Sequence, residues 1–127
     1  MLGDKPVMAV VPSTDLARSR AFYVDKLGLT IEESMSNDDM MFVNAGAGSM
    51  FGVYKRGEGN KGDHTQVGFK VEEIESVVKE LTDKGVVFEQ LDMGPIKTNE
   101  MGIAELPGVK SAWFKDPDSN IFAVNQM

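Results

Sequence analysis

The chain contains no cysteine and a single histidine, His64, among its 127 residues. The first absence excludes disulfides, thiolate catalysis and thiolate-ligated metals. The second, with no nucleophile-elbow pattern, leaves no Ser-His-acid arrangement to build. Basic residues are also scarce, with 13 Lys+Arg against 20 Asp+Glu for a net charge of −7. Nucleic acid and anionic membrane surfaces do not attract a net anion, so neither is an expected partner, whereas a cationic ligand fits the sign. The plainer reading of the charge is that it keeps a small protein in solution. No apolar run approaches the roughly 18 residues of a membrane span. The opening "MLGDKPVMAVVPSTD" carries Asp4 and Pro12 around its apolar stretch, which makes it a poor signal peptide. A cytoplasmic location is therefore expected. Phosphate loops are missing too: "NAGAGSMFG" has the glycines but no following helix or Lys, and reads as a hairpin turn.

What is present is a repeat. The length suits one domain, residues 1–127, able to bury roughly two-thirds of its unfolded surface. A glycine-rich, charged stretch from Lys55 to Thr65 divides it nearly in half. Ahead of it, "PVMAVVP" reads as a strand and "STDLARSRAFYVDKLGL" as a helix, capped by Ser13, Thr14 or Asp15 and ended at Gly28. The strands "LTIEES", "MMFVNA" and "SMFGVYK" follow. Behind it, "QVGFKV" is a strand and "EEIESVVKELTDKG" a helix with Ile74, Val77, Val78 and Leu81 on one stripe. "VVFEQL", "KSAWFK" and "IFAVNQ" are three further strands, separated by an irregular stretch with a short strand near Ile103 to Leu106. The order β-α-β-β-β thus occurs twice, at an offset of 58 residues from Asp15 to Glu73. Two fused copies of one unit explain this better than a solenoid, which needs more repeats. The fold class predicted is α+β, with one module over about 5–56 and a second over about 65–127.

Three segments carry a resemblance to a known family: "VPSTDLARSRAFYVDKLGLTIEE", "QVGFKVEEIESVVKELTDKGV" and the closing "FKDPDSNIFAVNQ". In their order and spacing they resemble the vicinal oxygen chelate superfamily of glyoxalases, bleomycin-resistance proteins and extradiol dioxygenases. The resemblance implies two βαβββ modules whose curved sheets form a cavity, with the helices outside. Metal-dependent members hold a divalent ion there, through His or Gln on the first strand of each module and Glu on the last. Carried over, those positions fall on Met8, Gln66 and Ala123, with the fourth on Phe51 or Gly52. Divalent ions need several oxygen or imidazole ligands converging on a point, and these residues do not supply them. No metal and no cofactor are expected.

The resemblance then implies a metal-independent small-molecule-binding protein, sequestering an antibiotic or another aromatic ligand, and a homodimer. Its binding candidates are Met8, Phe42, Phe51, Tyr54, Gln66 and Trp113. Aromatic rings stack on aromatic ligands and polarizable Met adapts to bulky ones, although each is equally at home in a core. The rival reading is a divalent-metal lyase, isomerase or dioxygenase whose ligands are displaced to His64, Gln66 and Glu105.

Overall fold

Asp15 starts the first helix. Its backbone is extended and its carboxylate accepts a hydrogen bond from the Arg18 N–H at 3.1 Å, so it is the cap among the three candidates. Helix α1, Leu16–Ala21, widens into a π-helical turn, Phe22–Lys26, and Gly28 leaves at φ +71°, a left-handed exit suited to glycine. In the computed structural model, which describes every residue from Met1 to Met127, ten strands, a second helix and two short 3-10 turns, Glu33–Met35 and Gly46–Gly48, complete the chain. The first half adds β1 (Val10–Ser13), β2 (Thr30–Ile31), β3 (Met40–Asn44) and β4 (Met50–Lys55). The second half has β5 (Val67–Lys70), α2 (Ile74–Asp83), β6 (Asp92–Met93), β7 (Ile96–Lys97), β8 (Ile103–Leu106), β9 (Val109–Lys115) and β10 (Ile121–Gln126).

The repeat read from the sequence is the architecture. One sheet runs β1-β4-β3-β2 and the other β5-β10-β9-β8. In each, the first strand lies parallel to the last while the remaining pairs are antiparallel. The two ladders stay separate and form no closed barrel. No helix is long and apolar enough to cross a membrane.

Two expectations need correction. The first strand starts at Val10, not Pro6; Val7 is 96% exposed and joins no ladder. "VVFEQL" is not a strand but a single bridge, Phe88 to Phe114. Strand β8 already occupies the outer edge of β9 along Val109–Ala112, so only the stretch opposite Phe114 remains for pairing. Beyond it the chain turns away into the β6–β7 hairpin, whose Gly94 sits at φ +69°.

The core is one cluster fed by both halves. Val11, Val43, Phe51 and Val53 enter from the first sheet, Phe114, Phe122 and Val124 from the second, and Tyr23, Ile74 and Val78 from the helices. Phe114 stacks on Phe122 at 5.4 Å, and Tyr23 meets Phe51 edge-on at 5.2 Å. Such rings contribute on the order of 2 kcal/mol each by burial, with roughly 1 kcal/mol more per well-oriented pair. Because strand side chains alternate, every second residue of each sheet points away from this core. Those outward faces hold the candidate site.

Candidate functional site

Register places the outward residues in matching rows. In the first sheet Gly52 pairs with Val10 and Phe42; in the second Ala123 pairs with Gly68 and Trp113. The 58-residue offset carries Val10 onto Gly68 and Met8 onto Gln66. So Gly52 corresponds to Ala123, and Phe42 to Trp113. This settles the fourth position implied by the family pattern as Gly52. Phe51 faces the other way: it is 3% exposed and packs against Tyr23, Phe69 and Phe122. Phe51 is therefore a core residue and not a ligand-binding one, because one step along a strand reverses the face.

The four positions that would hold a metal are thus Met8, Gly52, Gln66 and Ala123, and they do not fit one. Only Gln66 offers an oxygen, and that oxygen is committed. It accepts from the Ile121 N–H at 2.7 Å and from Asn60 Nδ2 at 3.2 Å, which uses both lone pairs. Flipping the amide would set its NH2 against the Ile121 N–H, two donors facing each other. Gln66 Nε2 is left buried and without a partner. The displaced set fares no better. Glu105 turns to the helix side, where it shares the Lys110 ammonium, at 3.6 Å, with Glu75 of α2. His64 is exposed in the linker, and no group of three or more His, Asp or Glu side chains converges on a point that could hold a metal ion.

The remaining candidates keep outward or solvent-facing positions. Met8 is 39% and Tyr54 36% exposed, while Phe42 and Trp113 are half-buried at their equivalent places. The Arg56 guanidinium lies 5.5 Å over the Tyr54 ring. Met40 joins this face, and its methyl group lies 2.6 Å from where a Cβ on Gly52 would sit. The first sheet therefore offers an apolar, partly exposed surface with rings and thioethers. In the second sheet Ala123 is 2% exposed, and Trp113 is the main aromatic group on its outward side.

The Asp-Pro-Asp-Ser-Asn turn does something the sequence reading missed. Asp116 accepts hydrogen bonds from Tyr23 Oη, from the N–H groups of Asp118 and Asn120 at 2.9 Å each, and from Asn120 Nδ2 at 2.7 Å. Asp118 Oδ1 accepts from the N–H and Oγ1 of Thr14, at 3.0 and 2.7 Å, and from Arg18 at 3.1 Å. Asn120 Nδ2 also donates to the Pro12 carbonyl at 2.9 Å. This closing turn of the second half is bolted to the β1–α1 junction of the first. Burial pushes the Tyr23 phenol far up, aided by the Asp116 charge, so it stays neutral and serves as a donor. Burial also lifts the Asp116 carboxyl, against the pull of its four donors. For Asp118 burial again pushes upward, but the Thr14 hydrogen bonds and the Arg18 charge together outweigh it and hold the carboxyl below its usual range. The partners lie about a hundred positions apart, so no local spacing could have paired them.

A model of the Glyoxalase/Bleomycin resistance protein/Dioxygenase superfamily matches residues 5–124, and the chain belongs to that superfamily. Solved structures share the fold. An integron cassette protein from the mobile metagenome of the Halifax Harbour sewage outfall is 23% identical, with a TM-score of 0.66 over 97% of this chain and 99% of its own. A bleomycin-binding protein solved in complex with bleomycin is 16% identical, with a TM-score of 0.70 over 97% and 98%. The fosfomycin resistance protein FosX from Mesorhizobium loti is 13% identical, with a TM-score of 0.66 over 98% and 92%. No curated protein matches the sequence at a significant level.

Proposed function

We propose that this chain binds a small organic molecule without a metal and sequesters it rather than turning it over, in the manner of the bleomycin-resistance branch of its superfamily. One observation carries this reading. At the positions where the family pattern implies metal ligands stand Met8, Gly52, Ala123 and a Gln66 whose oxygen is already occupied. An aromatic ligand with a cationic group suits the surroundings. Phe42, Tyr54 and Trp113 offer ring faces, Met8 and Met40 adapt to shape, and the net charge of −7 attracts a cation. The working unit is a homodimer in which the outward face of one copy's first sheet meets the second sheet of the other. The exposure of Met8, Val10 and Tyr54 supports a face meant to be covered.

The test is a thermal-shift titration of chelator-stripped protein. Mn, Fe, Ni and Zn ions are run beside a panel of cationic glycopeptide and aromatic antibiotics. A ligand that binds only the native state raises Tm by mass action. The expected result is a saturable response to a drug and none to the ions, with Trp113→Ala and Phe42→Ala each weakening the drug about tenfold or more. A saturable ion response would overturn the reading and revive the metal-dependent enzyme. A monomer by light scattering, with and without drug, would remove the dimer from it.

A further inference from the structure

On the helix side of the second sheet lies a cleft remote in character from the outward faces. Helix α2 and the exit of α1 stand apart over this sheet, and the gap between them measures about 180 Å3. Leu27 and Leu29 form one wall, Val77 and Leu81 the other, and Phe114 and Val124 the floor. Eight of the nine lining residues are hydrophobic; the exception is Glu80.

Two features show that the cleft is built into the fold. Its floor is closed, since Phe114 and Val124 are 1% and 2% exposed and belong to the core. Its first wall follows from the π-helical turn. The Leu27 N–H reaches back five residues to the Phe22 carbonyl at 3.2 Å, and the Leu29 N–H bonds to the Tyr23 carbonyl at 3.0 Å. This widened turn carries the two leucines off the course of a regular helix. Single π-helical turns are rare and recur at functional sites.

The lining names the ligand class. A closed apolar cavity of roughly 150 Å3 takes up benzene-sized molecules, and this cleft, open on its solvent side, has room for one. The one polar side chain at this cleft is a carboxylate, and nothing cationic lines it. We infer that the cleft is a second binding site, for a small aryl- or branched alkyl-ammonium. The apolar body, about six to ten heavy atoms, fills the gap, and the cationic head pairs with Glu80. This site does not depend on the reading of the outward faces.

Benzylamine, benzyl alcohol and benzoate test it, being one ring with a positive, neutral or negative head. Benzylamine is expected to bind with Kd on the order of a millimolar, and to raise Tm by about 4 °C at ten times Kd. It should exceed benzyl alcohol by roughly two- to fivefold at low salt, with benzoate weakest. Glu80→Gln should erase that preference and leave the ring's own binding in place. Val77→Phe, which fills the cleft, should abolish all three responses. Should it fail to fold, amide shifts in the wild-type NMR spectrum at Val77 and Leu81 replace it. No response to any probe overturns the inference, as does equal binding of benzoate and benzylamine. Shifts confined to Phe42 and Trp113 would overturn it too, by placing the ring on the outward face.

Discussion

The two halves close their last hairpin with turns of equal length and opposite character. Ala45–Ser49 links β3 to β4, and Asp116–Asn120 links β9 to β10. Both fasten the first N–H to the last carbonyl: Ala45 to Ser49 at 2.9 Å, and Asp116 to Asn120 at 3.0 Å. Each places a non-glycine residue in left-handed backbone, Ala47 at φ +55° and Ser119 at φ +65°. There the likeness stops. The first turn is made of Ala, Gly and Ser, is largely exposed and makes no hydrogen bond to the other half. The second is built of buried Asp116, Asp118 and Asn120 and holds Tyr23, Thr14 and Arg18 of the first half. A backbone shape can thus be kept for two reasons, and only surroundings tell them apart. The second turn is a bolt between halves, a role that needs no carboxylate at Ala123 in the strand behind it.

Removing the bolt should have the largest consequence. Asp116→Ala strands four donors in a buried place and is expected to cost about 3–5 kcal/mol, whereas Ser49→Ala in the exposed turn should cost about 0.5 kcal/mol or less. Urea unfolding midpoints at unchanged slope measure both, and similar losses would break the contrast. Tyr23→Phe takes away one donor and leaves the carboxylate three, so a smaller loss of about 1–2 kcal/mol is expected in the same assay.

Acid sharpens the comparison further. The folded Asp118 carboxyl lies below its ordinary range, so the stability it contributes is present above about pH 4 and lost as pH falls through its folded value. Asp116, raised by burial, works with the opposite sign: what it contributes is lost as pH rises from about 4 through its folded value. Asp118→Asn should therefore flatten the acid limb of Tm against pH below about pH 4, and curves parallel to wild type would count against the Thr14–Arg18 clasp. The smallest effect is shared by both turns. Ala47→Gly and Ser119→Gly relieve left-handed backbone, and each should gain a few tenths of a kcal/mol, roughly, after the glycine's greater unfolded-state freedom is subtracted. A gain at one turn alone, read by Tm, would show that their backbones are not equally strained.

Much of this was legible in order and spacing. The offset from Asp15 to Glu73 predicted that β5 and α2 repeat β1 and α1, and the ladders agree. Met8, Gln66 and Ala123 were placed by counting from recognisable turns and helix starts. Counting failed for Phe51, because "NAGAG" carries no marker fixing where β4 begins, and one residue decides whether a side chain faces the core. It failed for "VVFEQL" because strand propensity says nothing about whether an edge is vacant. Tyr23 lies within the helical segment "STDLARSRAFYVDKLGL", and nothing local marks the hydroxyl that meets Asp116.

By itself, then, the sequence determined the doubled βαβββ order, the family and the poverty of metal donors at the inherited positions. These depend on local periodicity and on which atoms a side chain carries. Tertiary structure alone decided which face Phe51 takes, that the oxygen of Gln66 is spent on Ile121, and that Asp116 and Asp118 join the two halves. Those are matters of proximity between residues distant in the chain. A carboxylate becomes a bolt, a base or a solvated charge according to what folding brings within about 3 Å of it.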